Sequence, residues 1–181
     1  MIRLTHNYRR GYTLIEMIIA IMLMAILSGL LVSIIAVNFN TMAEVSDRKK
    51  LVTRGMLAVN LFERELGMLK NTSAIITADA QTFRFSDTYG NTWEYAINGS
   101  NLTRQQIGVG TAIILATPVI NADTKFSYYA QDNSTLGTLP LSAGNIALIT
   151  LVKLLLVMDD GNTGIQLLSI VYPENLKFYN H

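Results

Sequence analysis

The stretch RRGYTLIE, Arg9 to Glu16, leads into MIIAIMLMAILSGLLVSIIAV, Met17 to Val37, 21 residues with no charge at all. One carboxylate, Glu16, therefore stands at the mouth of an apolar run. A carboxylate in hydrocarbon costs about 2.5–3.5 kcal/mol on insertion scales, so a residue there marks function. Other reactive residue types are sparse. The histidines are His6, before the run, and His181, and there is no cysteine, so disulfides and thiolate metal sites are both excluded. No Ser-His-acid arrangement, HExxH, phosphate loop or GxGxxG is present, and no catalytic constellation can be assembled.

Two further groups are candidates for binding. DDGNTG, Asp159–Gly164, offers oxygen ligands from Asp159, Asp160 and Asn162. It lacks the alternation of an EF-hand loop, and a plain hairpin turn competes with a calcium site. Trp93, Tyr95, Tyr128 and Tyr129 could form a stacking platform, but aromatics alternating on strands are expected in the core. Four Asn-x-Ser/Thr sequons, at Asn71, Asn98, Asn101 and Asn133, carry no weight because turn-rich surfaces generate them by chance. Neither cofactor nor metal is implied.

The elements that must position Glu16 follow from periodicity. As a helix, Met17–Val37 spans about 31 Å, the thickness of the hydrocarbon core. A secretory signal peptide would have a shorter apolar core, and TMAE, Thr41–Glu44, is a poor cleavage site. A spanning helix over about 14–37 is the expectation. Arg3, Arg9 and Arg10 precede it without an acidic residue, which places the N-terminus in the cytoplasm and the remainder outside. Net charge is +1 overall; without residues 1–11, eleven basic face thirteen acidic side chains, or −2. Neither value suggests a nucleic-acid footprint. Ala25, Gly29 and Ser33 recur every four residues, a stripe on which another helix could pack closely. Equally, small residues are simply common in membrane helices.

Beyond the membrane, Val45, Val52, Met56, Val59, Phe62, Leu66 and Leu69 fall at helical spacing with no proline before Lys70. One helix from Tyr12 to Lys70 would be roughly 88 Å long, apolar all round and then amphipathic. After Ser73 the period changes to two. Strands are expected at Thr82–Ser86, Thr92–Ile97, Lys125–Gln131, Ile146–Met158 and Ile165–Tyr172, with turns at DTYGN, NGSN and DDGNTG. The apolar Ile146–Met158 reads as a strand covered on both sides. The expected fold is α+β: a long N-terminal helix packed on an antiparallel β-sheet. Its segments are 1–11, a helix over 12–70, and a β-rich head over 71–181.

RRG followed by YTLIE and a long apolar helix resembles the N-terminal signal of type IV pilins and type II secretion pseudopilins. That resemblance implies cleavage by a prepilin peptidase after Gly11, with 1–11 as leader, and N-methylation of Tyr12. Tyrosine replaces the phenylalanine usual at the first mature position. Glu16 becomes the fifth mature residue, whose carboxylate would pair with the N-terminal amine of a neighbouring subunit. A boundary glutamate reaching headgroup water is the alternative. FEREL, then FRF…WEYAINGSNLTR and a terminal VYPENLKFYN, look like W-type minor pilins and J-type pseudopilins. Without cysteine the C-terminal disulfide loop of many major pilins is impossible, which favours a minor subunit.

These readings converge on an assembly subunit of a type IV pilus, type II secretion pseudopilus or competence pilus, rather than an enzyme. Its implied partners are the prepilin peptidase, other pilin subunits, the inner-membrane assembly platform and membrane lipid. The competing reading is a membrane-anchored extracytoplasmic module that captures a ligand or DNA without entering a filament.

Overall fold

The computed structural model describes residues 12–176. One helix, α1, runs from Leu14 to Gly67. Eight strands follow: β1 (Ile75–Ala78), β2 (Thr82–Ser86), β3 (Thr92–Asn98), β4 (Asn101–Gln106), β5 (Val109–Ala116), β6 (Lys125–Tyr129), β7 (Leu151–Asp159) and β8 (Gly164–Val171). A short helix, α2 (Ala143–Ile146), lies between β6 and β7. The arrangement is α+β and pilin-like, a long N-terminal helix followed by antiparallel sheets.

By contacts the chain divides into two compact units, Met1–Ala43 and Glu44–His181. In the first, every described residue is exposed, including Leu14, Ile21, Leu30 and Val37. In the second, the strands form two sheets rather than the single one expected. β1 to β5 make a five-stranded antiparallel meander in sequence order, and β6-β7-β8 make a three-stranded sheet. Two-residue turns drive the meander: Gly99, at φ +57, opens the β3–β4 turn and Gly108, at φ +84, closes the β4–β5 turn. Positive φ is where glycine costs least.

The outer part of α1 covers both sheets. Phe62 is fully buried, with ring centroids 5.1 Å from Tyr95, 6.2 Å from Phe83 and 5.7 Å from Phe126. It thus joins β2 and β3 to β6. The buried stripe differs from the one expected. It consists of Leu51, Gly55, Ala58, Val59, Phe62, Glu65 and Leu66, whereas Val45 and Met56 are exposed. Gly55 explains the rotation. A Cβ there would stand 2.4 Å from Leu167 Cδ1 and 3.1 Å from Met158 Sδ, so glycine lets the helix sit directly on β7 and β8.

Strand boundaries also shift. The expected strand Ile146–Met158 begins only at Leu151. Ser142 Oγ accepts the Asn145 N–H and starts α2 instead, a local side-chain bond outcompeting extended backbone. β6 stops at Tyr129 because Ala130–Ser134 closes a turn, with Asn133 at φ +62. β7 is covered fully on one face only, against the two-sided cover expected: Val152, Leu154, Leu156 and Met158 are fully buried, whereas on the opposite face Leu151 and Val157 are buried but Lys153, Leu155 and Asp159 are half-exposed.

Candidate functional site

Thr13 starts α1. Its Oγ1 accepts the Glu16 N–H at 3.3 Å, and its carbonyl accepts from Glu16 and Met17. Thr-x-x-Glu before an apolar run is the sequence of a capping box, and Glu16 occupies the first turn, where the helix dipole favours an anion. Local structure alone thus gives Glu16 one reason to be acidic. Its side chain is exposed in the isolated chain. Tyr12, 79% exposed, precedes the cap, and Gly11 lies outside the described residues, as do His6 and the three arginines before it.

Downstream, three polar side chains of the helix bond to its own backbone. Ser28 Oγ donates to the Met24 carbonyl at 2.7 Å, Asn38 Nδ2 to Ile34 at 2.8 Å and Thr41 Oγ1 to Val37 at 3.0 Å. In a bilayer such bonds remove the cost of a bare donor. Ala25, Gly29 and Ser33 are all exposed, and a Cβ on Gly29 would meet nothing within 4 Å. Among the described residues α1 is the one helix long and apolar enough to cross a membrane.

Residues 6–32 match the family model described as the prokaryotic N-terminal methylation motif. The chain carries the N-terminal signal of type IV pilins and pseudopilins. No curated protein matches the chain. The pilin signal covers Gly11, Tyr12, Glu16, Ala25 and Gly29, and Ser33 falls one residue beyond it.

The globular unit holds a second constellation, which joins the residue patterns FEREL, WEY and LTR. Glu65, 2% exposed, accepts from Tyr95 Oη at 2.6 Å and from Arg104 Nε at 3.0 Å and Nη2 at 2.5 Å. Arg104 lies directly opposite Tyr95 across β3 and β4, and its guanidinium stacks 3.9 Å from the Trp93 ring centroid. Burial, reinforced by the Glu65 carboxylate, pushes the Tyr95 phenol far above its ordinary range, so it remains a donor. Burial opposes the Arg104 charge, but Glu65 outweighs that and holds the guanidinium protonated.

Trp93 also connects to Asp87, donating from Nε1 at 3.0 Å. Asp87 further accepts from Asn91 Nδ2 and from the backbone N–H groups of Tyr89 and Asn91. Burial resists ionisation of Asp87, yet these bonds hold its carboxyl below the usual carboxylate range. Both acids spend their lone pairs on fixed internal donors, which suits structural locking and leaves neither a ready proton acceptor. Spacing could have revealed Glu65: it sits on the stripe of Ala58, Phe62 and Leu69, where an acid must find a cation. Nothing in the sequence pairs it with Arg104 across 39 positions.

Asp159–Gly164 is the β7–β8 hairpin turn, with Asp159 paired to Gly164. Asp159 Oδ1 accepts from Gly161 N, and Asp160 Oδ1 accepts from Asn162 N and Thr163 N. Among the described residues no three His, Cys, Asp or Glu side chains gather as a metal site. Trp93, Tyr95 and Tyr128 are core residues, while Tyr129 is half-buried.

Proposed function

We propose that this chain is a minor pilin or pseudopilin subunit, cleaved between Gly11 and Tyr12 by a prepilin peptidase, N-methylated on Tyr12 and built into a filament through its apolar helix. The observation that carries the reading is the methylation motif over residues 6–32 lying on the apolar Leu14–Val37 stretch of α1, whose side chains are all exposed. Such a surface has two covers available, lipid before assembly and neighbouring helices after it.

Cleavage creates a charged amine at Tyr12, close to the Glu16 carboxylate of an adjacent subunit. The pair neutralises two charges in a layer that tolerates neither alone. A buried ion pair adds little net stability, but removing one partner strands the other at about 3–5 kcal/mol, so the pair fixes the stagger between subunits. Ala25, Gly29 and Ser33 form the stripe along which helices approach. The polypeptide crosses the inner membrane once, N-terminus inside, and the head beyond Glu44 lies outside. The FEREL, WEY and LTR patterns resemble those of W-type minor pilins and J-type pseudopilins, and support a subunit of that kind.

Intact-mass measurement on membrane-extracted protein tests the reading. The expected species begins at an N-methylated Tyr12, and a retained residue 1–11 segment in cells with active prepilin peptidase would refute it.

A further inference from the structure

The outer face of the three-stranded sheet has an uneven charge layout. Cross-strand register puts Lys125 opposite Leu155 and Ser127 opposite Lys153, so both lysines share the face that also carries Leu168 and Ile170 of β8. The Thr135–Leu139 segment overhangs this end and makes a groove of about 450 Å³, lined by both lysines, Ser127, Tyr129 and Leu155. No carboxylate lines it, and neither lysine forms an ion pair among the described residues. At the far end of the same strands is the hairpin turn with Asp159 and Asp160, and Asp123 stands two residues before Lys125.

We infer that this groove binds the Asp159–Gly164 turn of a second copy of the chain, in a reciprocal two-fold contact between heads. Register makes the face self-complementary. A two-fold axis across β7 at Leu156 brings Lys153 over Asp159 of the other copy, and Lys125 over its Asp123. Both contacts occur twice, as an isologous interface requires. Between the charged ends lie Leu155, Leu168 and Ile170, the last two about half exposed, and pairing removes them from water. Charge supplies the orientation, because a parallel overlay would set lysine on lysine. The contact uses residues from Asp123 onward and does not depend on leader cleavage.

The cysteine-free chain allows a direct test. Full-length proteins carrying Asn162→Cys in the turn and Ser127→Cys in the groove are mixed in detergent and oxidised. The expected product is the mixed 127–162 disulfide, in excess over both like pairs. Its yield should fall about tenfold when one protein pair carries Lys153→Glu in both members, or Asp159→Lys in both. Combining one member of each kind restores both Lys153–Asp159 contacts, leaves the Lys125–Asp123 contacts in place, and should recover the yield. A statistical mixture of disulfides, or charge-reversed pairs that crosslink as well as the parent, would overturn the inference. Failure to recover in the complementary mixture, with both proteins folded by circular dichroism, would do the same.

Discussion

At the scale of single residues, the decisive groups of the head are two buried acids whose partners come from distant segments. Glu65 is held by Tyr95 and Arg104. Glu65→Gln keeps the shape but leaves Arg104 charged and only partly countered, since the guanidinium cannot shed its proton. The expected loss is about 3–5 kcal/mol of head stability, read by denaturant melting. Glu65→Leu combined with Arg104→Met should lose much less, because no bare charge remains. Equal losses would mean that packing, not the pair, dominates. Asp87 yields a pH prediction. Its folded-state pKa lies below the ordinary 3.8, so its contribution is present above that pH and fades as pH falls through the depressed value. Asp87→Asn turns an amide N–H toward donors and should cost about 1–3 kcal/mol at neutral pH. The gap between wild-type and Asp87→Asn melting temperatures should shrink below about pH 4; a gap constant down to pH 2 would show that ionisation is irrelevant.

At the scale of elements, the close seat of α1 on β7 and β8 depends on Gly55. Gly55→Ala places a methyl against Leu167 Cδ1, the movable end of a side chain, and gains about 1 kcal/mol of helix propensity, so its net effect should be small. Gly55→Leu has no such escape and should cost about 1–3 kcal/mol by overpacking, measured by thermal unfolding. A neutral Gly55→Leu would show that the helix can lift freely. This seat also shows what was legible in the sequence. The helix and strands β2, β3 and β8 could be read because their periods are clean and DTYGN, NGSN and DDGNTG punctuate them. The facing of the helix could not. Alternation of Val45, Val52 and Met56 satisfies a helical period as well as the true stripe does, and only contact with the sheets selects between them. β5, exposed over most of its length, carries no inside-outside alternation, so VGTAIILA gave no strand period. The division into two sheets arises from long-range pairing that no local pattern encodes. At the N-terminus the methylation motif was legible because its parts are contiguous, whereas the Glu65–Arg104 pair is split between a helix and a strand.

For the whole molecule, the division at Ala43 and Glu44 separates an exposed apolar segment from a unit with its own core. A fragment starting at Glu44 should be soluble, as it retains Leu51, Phe62 and Leu66 over the sheets. One starting at Asn71 uncovers that face and should aggregate in size-exclusion chromatography; equal behaviour would contradict the helix as cover. Assembly makes the sharper demand, on Glu16. Glu16→Gln keeps size and polarity while deleting the charge. Membrane insertion should persist, because it depends on the uncharged Met17–Val37 run and the arginines before it. Thr13 still caps the helix through the backbone N–H of residue 16, so local folding should persist as well. Leader removal should continue, since the Gly11–Tyr12 bond lies in the segment ahead of that cap. What should fail is incorporation, where a neighbour's amine would enter hydrocarbon without a counter-charge. A deficit of about 3 kcal/mol lowers incorporation about a hundredfold. The measurement is sheared-filament protein relative to processed protein in the membrane, against wild type. Normal incorporation of processed Glu16→Gln would reduce the carboxylate to a helix-cap residue that reaches headgroup water, and the stagger between subunits would then have to come from the Ala25–Gly29–Ser33 stripe alone.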